Sequence, residues 1–513
     1  MAAPSDQADC DLLVIGGGIN GAAIACDVAG RGVSVILVEQ RDFAEGTSSR
    51  SSKLIHGGLR YLETYDLRMV REALIEREIL MAKAAHLVRP LRLVLPHVAS
   101  QRPLWMIRLG LLLYDHLAPR RRLAASETLD LRNHPAGNAL KPEFHRGFAY
   151  SDCRGDDARL VIANLLGAQR HGAAILARHA FVSAKRDGAV WRCRLRNAAA
   201  GEQHEIAARA IANAAGPWVT QVAGSIGGSN TARRMRLVKG SHLVVRRQWP
   251  EEHGYFLQTA DGRLMEAFPY EENFTSIGTT DEPWDSAPED VTISDKEIDY
   301  MLTAVNRFFR RPVTRGDIVW MYAGVRPLFE VGGGRDSNLS TLTRDYAFEV
   351  DHADGKAPLL TVFGGKLTTH RKMAEHALAK LAPFLPFPSP SRTATEALPG
   401  GDFGSGGYDE FEAALTGEYP GAPAKQLRRY ARLYGTRARD LLAGAKTVAD
   451  LGRHFGAGLH AREIDFLMDT EWARTAEDVI WRRTKLGLRL SSAEIESVAN
   501  YVAQRLKLAS ASP

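Results

Sequence analysis

The fold is decided by the stretch Asp11-Leu12-Leu13-Val14-Ile15-Gly16-Gly17-Gly18-Ile19-Asn20-Gly21. Its apolar run predicts a buried strand, the glycines predict a tight turn, and the residues that follow predict a helix. Glycine at these positions lets backbone amides approach a pyrophosphate at the N-terminus of the helix. We therefore expect a dinucleotide cofactor at this turn, with contacts from Gly16, Gly18, Ile19, Asn20 and Gly21.

A second apolar run, Val33-Ser34-Val35-Ile36-Leu37-Val38, ends at Glu39. A carboxylate about 20 residues beyond the glycine turn is typical of a group that binds a ribose 2′-hydroxyl and not a 2′-phosphate. We expect Glu39 and its neighbour Gln40 to contact the adenosine. The pattern does not distinguish FAD from NAD, because both cofactors present an ADP moiety to this βαβ unit.

The next segment distinguishes them: Thr47-Ser48-Ser49-Arg50-Ser51-Ser52-Lys53-Leu54-Ile55-His56-Gly57-Gly58-Leu59-Arg60-Tyr61. Together with Phe363-Gly364-Gly365-Lys366-Leu367-Thr368-Thr369, it resembles the FAD-dependent glycerol-3-phosphate dehydrogenases, most of all the bacterial aerobic, membrane-associated enzymes. The likeness continues in order through residues 150–153, 156–160, 237–242, 277–281 and 322–327. It covers nearly the whole chain and implies non-covalently bound FAD.

The resemblance also implies which residues contact FAD. Thr47, Ser48 and Ser49 would bind the pyrophosphate or the ribityl chain, and Ser52 and Lys53 the region of the flavin ring. A serine-rich run can also be a flexible loop, but the intact motif directly behind this one argues against that. The other expected contacts are Leu54, His56, Gly57, Val182, Ala215, Gly216, Trp218, Gly365, Lys366, Leu367 and Thr368.

Composition limits the class of protein. At 513 residues, 45% of them hydrophobic, the chain exceeds a single core and has room for a large cofactor. Four cysteines at positions 10, 26, 153 and 193 lack metal-ligand spacing, so we expect structural thiols in a reducing compartment and no metal site. The net charge of +6 comes from dispersed basic residues, which argues against a nucleic-acid partner.

We predict an α/β flavoprotein of the two-dinucleotide-binding-domain type, with a Rossmann-like FAD domain, a mixed or antiparallel substrate-domain sheet and a C-terminal helical cap. A helix is expected over 67–85, strands over 175–184, 190–195 and 205–213, and further helices over 425–434, 463–472 and 477–484. The expected boundaries are FAD-binding segments 1–85, 151–236 and 351–383, a substrate- or membrane-facing insertion 86–150, a substrate domain 237–350, a proline- and glycine-rich linker 384–408 and a cap 409–513.

Oxidising glycerol 3-phosphate requires cations that hold a phosphate, and the planar fork of arginine suits that task. Arg60, Arg326 and Arg344 each belong to a motif of the resembling family. A single arginine among 66 basic residues is more often part of a structural or surface ion pair. Motif membership favours a role in phosphate binding, most directly for Arg326.

The reaction also requires a proton acceptor. His242 is the candidate, because imidazole accepts protons near neutral pH; a core histidine bonded to a backbone carbonyl is the alternative. His56 competes but fits a cofactor contact better, and Lys366 could bind either the substrate or flavin N1/O2. His370 stands where relatives usually carry tyrosine, so its role stays open, whereas Ala23 in place of a glycine should be harmless.

The resemblance implies ubiquinone or menaquinone as electron acceptor. The apolar segment 104–114, near Arg102, Arg108 and Arg120-Arg121-Arg122, suits a helix that lies on anionic head groups, although a buried core helix would explain its apolar residues equally well. It is shorter than the ~18 apolar residues of a spanning helix. The first nine residues show no secretory signal. We expect peripheral attachment to the cytoplasmic face of the inner membrane, and cytoplasmic protein when released.

Three alternatives stay open: a glycerol-3-phosphate oxidase that uses oxygen, a related amine or amino-acid oxidase, and a flavin-binding sensor without turnover. A homodimer is compatible with the sequence, which does not indicate the oligomeric state.

Overall fold

The structure is a computed structural model, described here for residues 8–62, 66–98, 102–198, 200–229, 235–330, 342–343, 345–352 and 355–511. In this part of the chain the strands form two sheets, and a group of C-terminal helices packs around a core of its own. The strands are β1 Cys10–Ile15, β2 Val35–Glu39, β3 Leu54–Ile55, β4 Val88–Pro96, β5 Glu127–Asp130, β6 Arg146–Gly155, β7 Ala174–Ala177, β8 His179–Asp187, β9 Val190–Asn197, β10 Gln203–Asn213, β11 Met235–Arg246, β12 Gly254–Gln258, β13 Leu264–Tyr270, β14 Phe274–Gly278, β15 Glu282–Trp284, β16 Ile318–Glu330, β17 Leu342–Thr343, β18 Tyr346–Asp351 and β19 Leu359–Gly364.

The helices connect these strands and then take over the C-terminal part of the chain. They are α1 Ile19–Gly30, α2 Leu67–Lys83, α3 Leu104–His116, α4 Asp157–Arg170, α5 Val219–Gly224, α6 Asp295–Asn306, α7 His370–Leu381, α8 Gly407–Glu418, α9 Ala424–Tyr434, α10 Ala438–Leu442, α11 Ala461–Thr470 and α12 Ser492–Ala511. The expected helix over 67–85 and the expected strands over 190–195 and 205–213 are therefore confirmed within a few residues. The single strand expected over 175–184 is instead two strands, β7 and β8, which pair with β2 and β9.

The first sheet, sheet A, has the order β18-β19-β10-β1-β2-β7, with β9 paired to β10 and β8 to β9. Strands β19, β10, β1, β2 and β7 are parallel. Strand β1 is apolar and almost wholly buried because both of its faces are covered, as is typical of a central parallel strand. Helices α1, α4 and α7 share one apolar core with this sheet. This is the predicted Rossmann-like unit.

The second sheet, sheet B, has the order β17-β16-β11-β14-β13-β12-β4-β6-β3, and its pairs are antiparallel except for β12 with β4. Its two faces bury different helices. Val94 belongs to the core under α6, whereas Leu93 and Leu95 belong to the core under α2 and α3. Neighbouring residues of a strand point to opposite faces, so sheet B is a layer between these helices.

Two of the expected domain boundaries cut through strands. Strand β6 runs across position 150 and lies wholly in sheet B, and β18 runs across position 350 and lies wholly in sheet A. The physical reason is pairing: β6 hydrogen-bonds to β4 along nine residue pairs, and β18 pairs with β19 along six. Composition does not change near residue 150 or residue 350, so the sequence does not indicate where the chain passes from one domain to the other.

The C-terminal helices α8 to α12 share one core, as expected for a helical cap. Buried ion pairs hold this domain to the rest of the chain. Both nitrogens of the Arg159 fork bond to Glu471, and the guanidinium of Arg483 lies 2.8 Å from each oxygen of Asp42. Glu471 and Arg483 have no exposed surface, so both ion pairs are buried where the cap contacts the FAD-binding unit.

Within the described residues, no helix combines the length and the apolar character needed to cross a bilayer. The four cysteines are buried and unpaired, and burial raises the pKa of the Cys10 thiol to about 12. Thiols of this kind are unreactive.

Candidate functional site

The glycine turn forms the floor of a cleft at the carboxyl ends of β1 and β2. Gly16 has a φ of +110°, and a Cβ there would lie 2.7 Å from the carbonyl oxygen of Ala214. A Cβ on Gly21 would lie 1.9 Å from the carbonyl oxygen of Gly16, so this glycine packs α1 against the turn. Gly18 is the N-cap of α1, and no side chain caps the helix there. The first amides of the helix therefore face the cleft, which suits a pyrophosphate.

Glu39 closes the ribose side of the cleft. Its carboxylate accepts hydrogen bonds from the backbone amides of Gly17, at 2.7 Å, and Arg41, at 2.9 Å. Burial raises the pKa of this carboxyl, and the two amide bonds oppose that rise. The carboxylate is held at the end of β2 in the position that the sequence predicts for a ribose contact.

Three hydrogen bonds bring distant motifs together around the cleft. The Ser48 hydroxyl accepts a bond from the Ile19 amide at 2.9 Å, and the Thr47 hydroxyl donates to the carbonyl of Val325 at 2.6 Å. The side-chain amide of Asn20 donates to the carbonyl of Gly364 at 3.0 Å, while its oxygen is buried and has no partner among the described residues. An acceptor left in this state at a cleft suits a ligand that donates a hydrogen bond.

Most of the predicted FAD contacts line one continuous cavity. They are Gly16, Gly18, Ile19, Asn20, Glu39, Gln40, Thr47, Ser48, Ala215, Gly216, Trp218, Gly365 and Leu367. The sequence analysis missed other lining residues, among them Arg41, Arg50, His179, Phe181, Pro288 and Glu289. Arg50 lies within the quoted 47–61 segment, whereas the other residues belong to no quoted motif and reach the wall from strands and loops far apart in the chain.

Other predicted contacts lie elsewhere. Strand β8 has an irregularity between Phe181 and Ser183, and Phe181, not Val182, lies on the cavity wall. Ser49 and Lys53 line a neighbouring cavity, where the Lys53 ammonium forms a buried ion pair with Asp157 at 2.9 Å. The ion pair neutralises a buried ammonium that would be costly without a partner. The expected contact of Lys53 with the flavin ring stays a prediction.

The segment that follows Lys53 is held by the rest of the fold. Leu54 pairs with Arg154 of β6. The His56 amide donates to the Thr368 hydroxyl at 3.2 Å, and the Gly57 amide donates to the Tyr114 hydroxyl at 2.8 Å. The bond between His56 and Thr368 joins the 47–61 and 363–369 motifs. Contacts of these residues with FAD stay a prediction.

His242 lies on β11 in the middle of sheet B and is 2% exposed. Its Nε2 lies 3.2 Å from the Ser52 hydroxyl, and its Nδ1 has no hydrogen-bond partner among the described residues. The expectation of a core histidine bonded to a backbone carbonyl is thus not met. Burial, followed by the charges of Arg326 and Lys53, lowers the pKa of His242 well below its usual value. The imidazole is therefore neutral near pH 7.

Arg326 lies on β16, on the same face of sheet B. Its guanidinium forms an ion pair with Asp281 and donates to the Thr279 hydroxyl at 2.8 Å. A Cβ on Gly240 would lie 2.3 Å from this guanidinium, so the glycine of the 237–242 motif provides its space. Lys239 from that motif points away and binds Glu297 at 2.7 Å. The 237–242 motif therefore contributes residues to both faces of sheet B.

The remaining cationic candidates have different outcomes. The Lys366 ammonium lies 4.0 Å from the centre of the Tyr61 ring and 2.8 Å from the sulfur of Met69, next to the cavity residues on either side of it. Arg60 belongs to the short helix Leu59–Leu62, but its side chain is outside what the structure describes. Arg344 lies outside the described residues. Roles for Arg60 and Arg344 stay predictions.

His370, which replaces the tyrosine usual in the family, is a core residue. It is 1% exposed, its Nδ1 lies 2.6 Å from the carbonyl of Leu367, and its Nε2 faces Asn164 of α4. Burial lowers its pKa to about 3. His370 therefore stabilises the start of α7 as a neutral ring.

Tyr322 was not among the predicted site residues. It pairs directly with His242 across β11 and β16, and the two rings are stacked with their centres 4.7 Å apart at 7°. Strand alternation could have indicated Tyr322, because Tyr322, Gly324 and Arg326 lie on the same face of a strand. The sequence does not indicate the register between β11 and β16, which places Tyr322 opposite His242.

Comparison with known proteins agrees with this geometry. Residues 11–371 match the family model described as FAD dependent oxidoreductase, and 391–512 match the C-terminal domain of alpha-glycerophosphate oxidase. The chain is 49% identical to the D-erythritol 1-phosphate dehydrogenase of Brucella abortus, covering 94% of this chain and 96% of that protein. It is 48% identical to the glycerol-3-phosphate dehydrogenase of Pseudomonas aeruginosa, with 96% and 94% covered, and 46% identical to the aerobic enzyme of Escherichia coli, with 98% and 99% covered.

Among solved structures, the glycerol-3-phosphate dehydrogenase of Bacillus halodurans complexed with FAD is 28% identical, with a TM-score of 0.74 over 98% of this chain and 95% of that one. The fold and the site define an FAD-dependent oxidoreductase with a C-terminal helical domain. Within that class, the chain belongs to the glycerol-3-phosphate dehydrogenase family, as the resemblance predicted, and FAD is its cofactor. The glycine turn at the start of α1, Glu39 and the Asn20 oxygen, which has no partner in the described part of the chain, fit that cofactor.

Proposed function

We propose that the protein oxidises sn-glycerol 3-phosphate to dihydroxyacetone phosphate and passes the electrons to a membrane quinone. The observation that carries the proposal is the arrangement of His242 and Arg326 on one face of sheet B, where Val325 and Pro327, the neighbours of Arg326 in β16, line the FAD cavity. A neutral imidazole and a guanidinium are what a phosphorylated secondary alcohol requires: one accepts the hydroxyl proton and the other binds the phosphate.

His242 accepts the proton at Nδ1. In a neutral imidazole one nitrogen donates and the other accepts, and the partner of each decides which. With Nε2–H donating to the Ser52 hydroxyl, the lone pair is on Nδ1, the nitrogen without a partner among the described residues. In this tautomer the Ser52 hydroxyl accepts the bond from Nε2–H.

Arg326 positions the phosphate. Asp281 and Thr279 hold its guanidinium in one orientation, and the space beside it is kept open by Gly240. Lys366, Arg60 and Arg344 are the further cations that we assign to the substrate or to the negative charge of the reduced cofactor. FAD, when bound, supplies the hydride acceptor.

Helix α3 is the proposed membrane contact. Its large apolar side chains face outward: Trp105 is 66% exposed and Leu109 58%, and Met106, Leu112 and Leu113 are each more than 40% exposed. The exposed residues Arg121 and Arg122 follow the helix. An outward apolar face next to exposed arginines fits an interfacial helix on anionic lipid better than a core helix. It supports peripheral attachment at the cytoplasmic face of the inner membrane.

The test is an anaerobic flavin spectrum of the purified holoprotein. Glycerol 3-phosphate should bleach the flavin, and a soluble ubiquinone or menaquinone analogue should restore its colour. Flavin that glycerol 3-phosphate leaves oxidised would contradict the proposed substrate. Rapid recovery with oxygen and release of peroxide, without a quinone, would instead identify the oxidase alternative.

One observation favours a second candidate substrate. The Brucella abortus relative, named for D-erythritol 1-phosphate, is as similar to this chain as the glycerol-3-phosphate enzymes are. Both compounds are polyol monophosphates with a secondary alcohol, so the same base and cation suit each. Bleaching rates measured with the two compounds side by side would assign the preference.

A further inference from the structure

Four rings form one continuous stack that begins at His242 and ends in the C-terminal helical domain. The ring of His242 lies on Tyr322, with centres 4.7 Å apart and an angle of 7° between the planes. Tyr322 contacts Trp320 at 4.8 Å and 32°, and Trp320 lies on Trp481 at 4.5 Å and 14°. Tyr322 and Trp320 belong to β16, whereas Trp481 belongs to the π-helical turn Asp478–Arg483.

The His242 end of the stack is closed by a glycine. A Cβ on Gly278, which pairs with His242 across β14 and β11, would lie 2.1 Å from the imidazole. The ring is therefore enclosed between Gly278 and Tyr322. The Tyr322 hydroxyl donates to the carbonyl of Ser51 at 3.1 Å, next to the residue that bonds His242.

The Trp481 end is closed in the same way. A Cβ on Gly487 would lie 2.6 Å from the indole of Trp481. The two residues after Trp481 both bind Asp42 in the FAD-binding unit: Arg482 through Nε, and Arg483 through two bonds of 2.8 Å. Trp481 is thus held in place by buried ion pairs on its own turn of helix.

We propose that the C-terminal domain acts on the reaction through this stack, with Trp481, Trp320 and Tyr322 as positioning residues that hold the imidazole of His242. The inference rests on the proposed function, because it requires His242 to be the proton acceptor. It assigns a role in the chemistry to a domain that contributes no described side chain to the FAD cavity.

The hydrogen bonding of His242 alone does not fix the orientation of its ring, which is why the stack matters. Among the residues that the structure describes, only Ser52 is within hydrogen-bond distance of the ring, and a ring with one such bond can still turn about its side-chain torsions. Proton transfer requires the acceptor nitrogen to lie within hydrogen-bond reach of the hydroxyl. Flat contacts on both faces of the imidazole restrict that rotation and leave only motion within the ring plane.

The same enclosure sets the charge environment of His242. Among the described residues, the charged groups on its side of the sheet include Arg326 with its partner Asp281 and Lys53 with its partner Asp157. Glu266 of β13 lies opposite Gly278 on the same side. Burial and the two cations lower the pKa of His242. A loosened stack would admit water next to the ring, and the pKa would rise toward its ordinary value.

The experiment is rapid-mixing reduction of the full-length holoenzyme by glycerol 3-phosphate, without oxygen, over a range of pH. Trp481→Leu should lower the rate at saturating substrate by about tenfold, leave the KM within about twofold and move the rising limb of the pH profile to higher pH. Trp481→Phe, which keeps a ring in the stack, should recover most of the rate. Should Trp481→Leu fail to fold with FAD, Gly487→Ala displaces the same indole and should act in the same direction.

Two further variants separate the possible outcomes. Arg432→Met removes another contact between the cap and sheet B, the ion pair with Glu271, and should match the wild type. His242→Asn should lose both the fast reduction and the rising limb. If His242→Asn reduces as fast as the wild type, the proposed function fails. If His242→Asn is impaired while Trp481→Leu keeps the wild-type rate and pH profile, the positioning role alone is overturned.

Discussion

The side-chain amide of Asn20 donates a hydrogen bond to the backbone carbonyl of Gly364, 3.0 Å away, although the two residues are 344 positions apart in the chain. The bond joins the first turn of α1 to the end of β19. A Cβ on Gly365 would lie 3.0 Å from the same amide. The nucleotide end of the FAD cavity and the family motif at its other wall are therefore held together by one side chain.

Removing that side chain should weaken cofactor binding. Asn20→Ala loses one hydrogen bond, worth about 1 kcal/mol or about fivefold in the Kd for FAD. Titrating apoprotein with FAD and following the flavin fluorescence measures this. Asn133→Ala, which removes an amide from an exposed turn, is the control and should leave the Kd unchanged. Equal affinities for all three proteins would show that the link does not shape the FAD site.

Cofactor affinity should also depend on pH through Glu39. Burial raises the pKa of this carboxyl above its usual value, and only the ionised form accepts two hydrogen bonds from ribose hydroxyls. Because the pKa is raised, the carboxylate protonates at a higher pH than a free glutamate does, and FAD affinity should fall as the pH is lowered through that range. The Glu39→Gln variant should bind FAD more weakly at neutral pH and show a flat profile. A sloping profile in that variant would place the titrating group elsewhere.

Acid should weaken the attachment of the cap by protonating the Glu471 carboxylate. Its buried pairing with Arg159 and Arg437 outweighs desolvation and lowers the pKa of Glu471 to about 2. A lowered carboxyl pKa adds stability above the unfolded value and loses it as the pH falls through the folded one, so the loss should occur below pH 4.5 and be complete near pH 2. Thermal unfolding against pH measures it.

The same ion pair should also be sensitive to mutation. Glu471→Ala leaves Arg159 buried without its partner and should cost about 3 kcal/mol or more. Glu418→Ala breaks an exposed pair with Arg439 and should cost less than about 1 kcal/mol. Equal losses in denaturant unfolding would show that the cap does not depend on the buried pair.

Helix α3 should carry membrane binding without affecting the chemistry. The double variant Trp105→Glu, Leu109→Glu places two charges on the exposed apolar face and should abolish sedimentation with anionic phosphatidylglycerol vesicles. Anaerobic flavin reduction by a soluble substrate should be unchanged. Val448→Glu, at a single exposed valine of the cap, is the matched control and should still bind vesicles. Vesicle binding by the double variant would move the membrane contact to another surface.

Local sequence patterns predicted the FAD-binding unit well, because β1, the glycine turn, α1 and Glu39 follow one another within 30 residues and each obeys a short-range rule. The helices of the cap were likewise predictable from periodicity. His242 and Arg326 were found through their motifs, and Tyr322 was not, because its role depends on the register of two strands about 80 residues apart. The same reason explains the misplaced boundaries at β6 and β18.

Side-chain pairing was the other part that the sequence did not reveal. Lys53 was expected at the flavin ring, yet its charge is neutralised by Asp157 of α4, a residue 104 positions away. His370 was left without a role, and only the contact with Leu367 and the neighbouring Asn164 explains why an imidazole fits there. Long-range partners decide whether a charged or polar side chain faces a ligand or the core.

The measurement that tests the central claim most directly is the anaerobic reduction rate of the bound flavin by glycerol 3-phosphate in the wild type, His242→Asn and Arg326→Met. We predict fast reduction in the wild type, a loss of about 10²-fold or more in the rate at saturating substrate for His242→Asn, and a raised substrate concentration for half-maximal reduction in Arg326→Met, with FAD retained in all three. Wild-type rates and substrate dependence in both variants would contradict the assignment of this site.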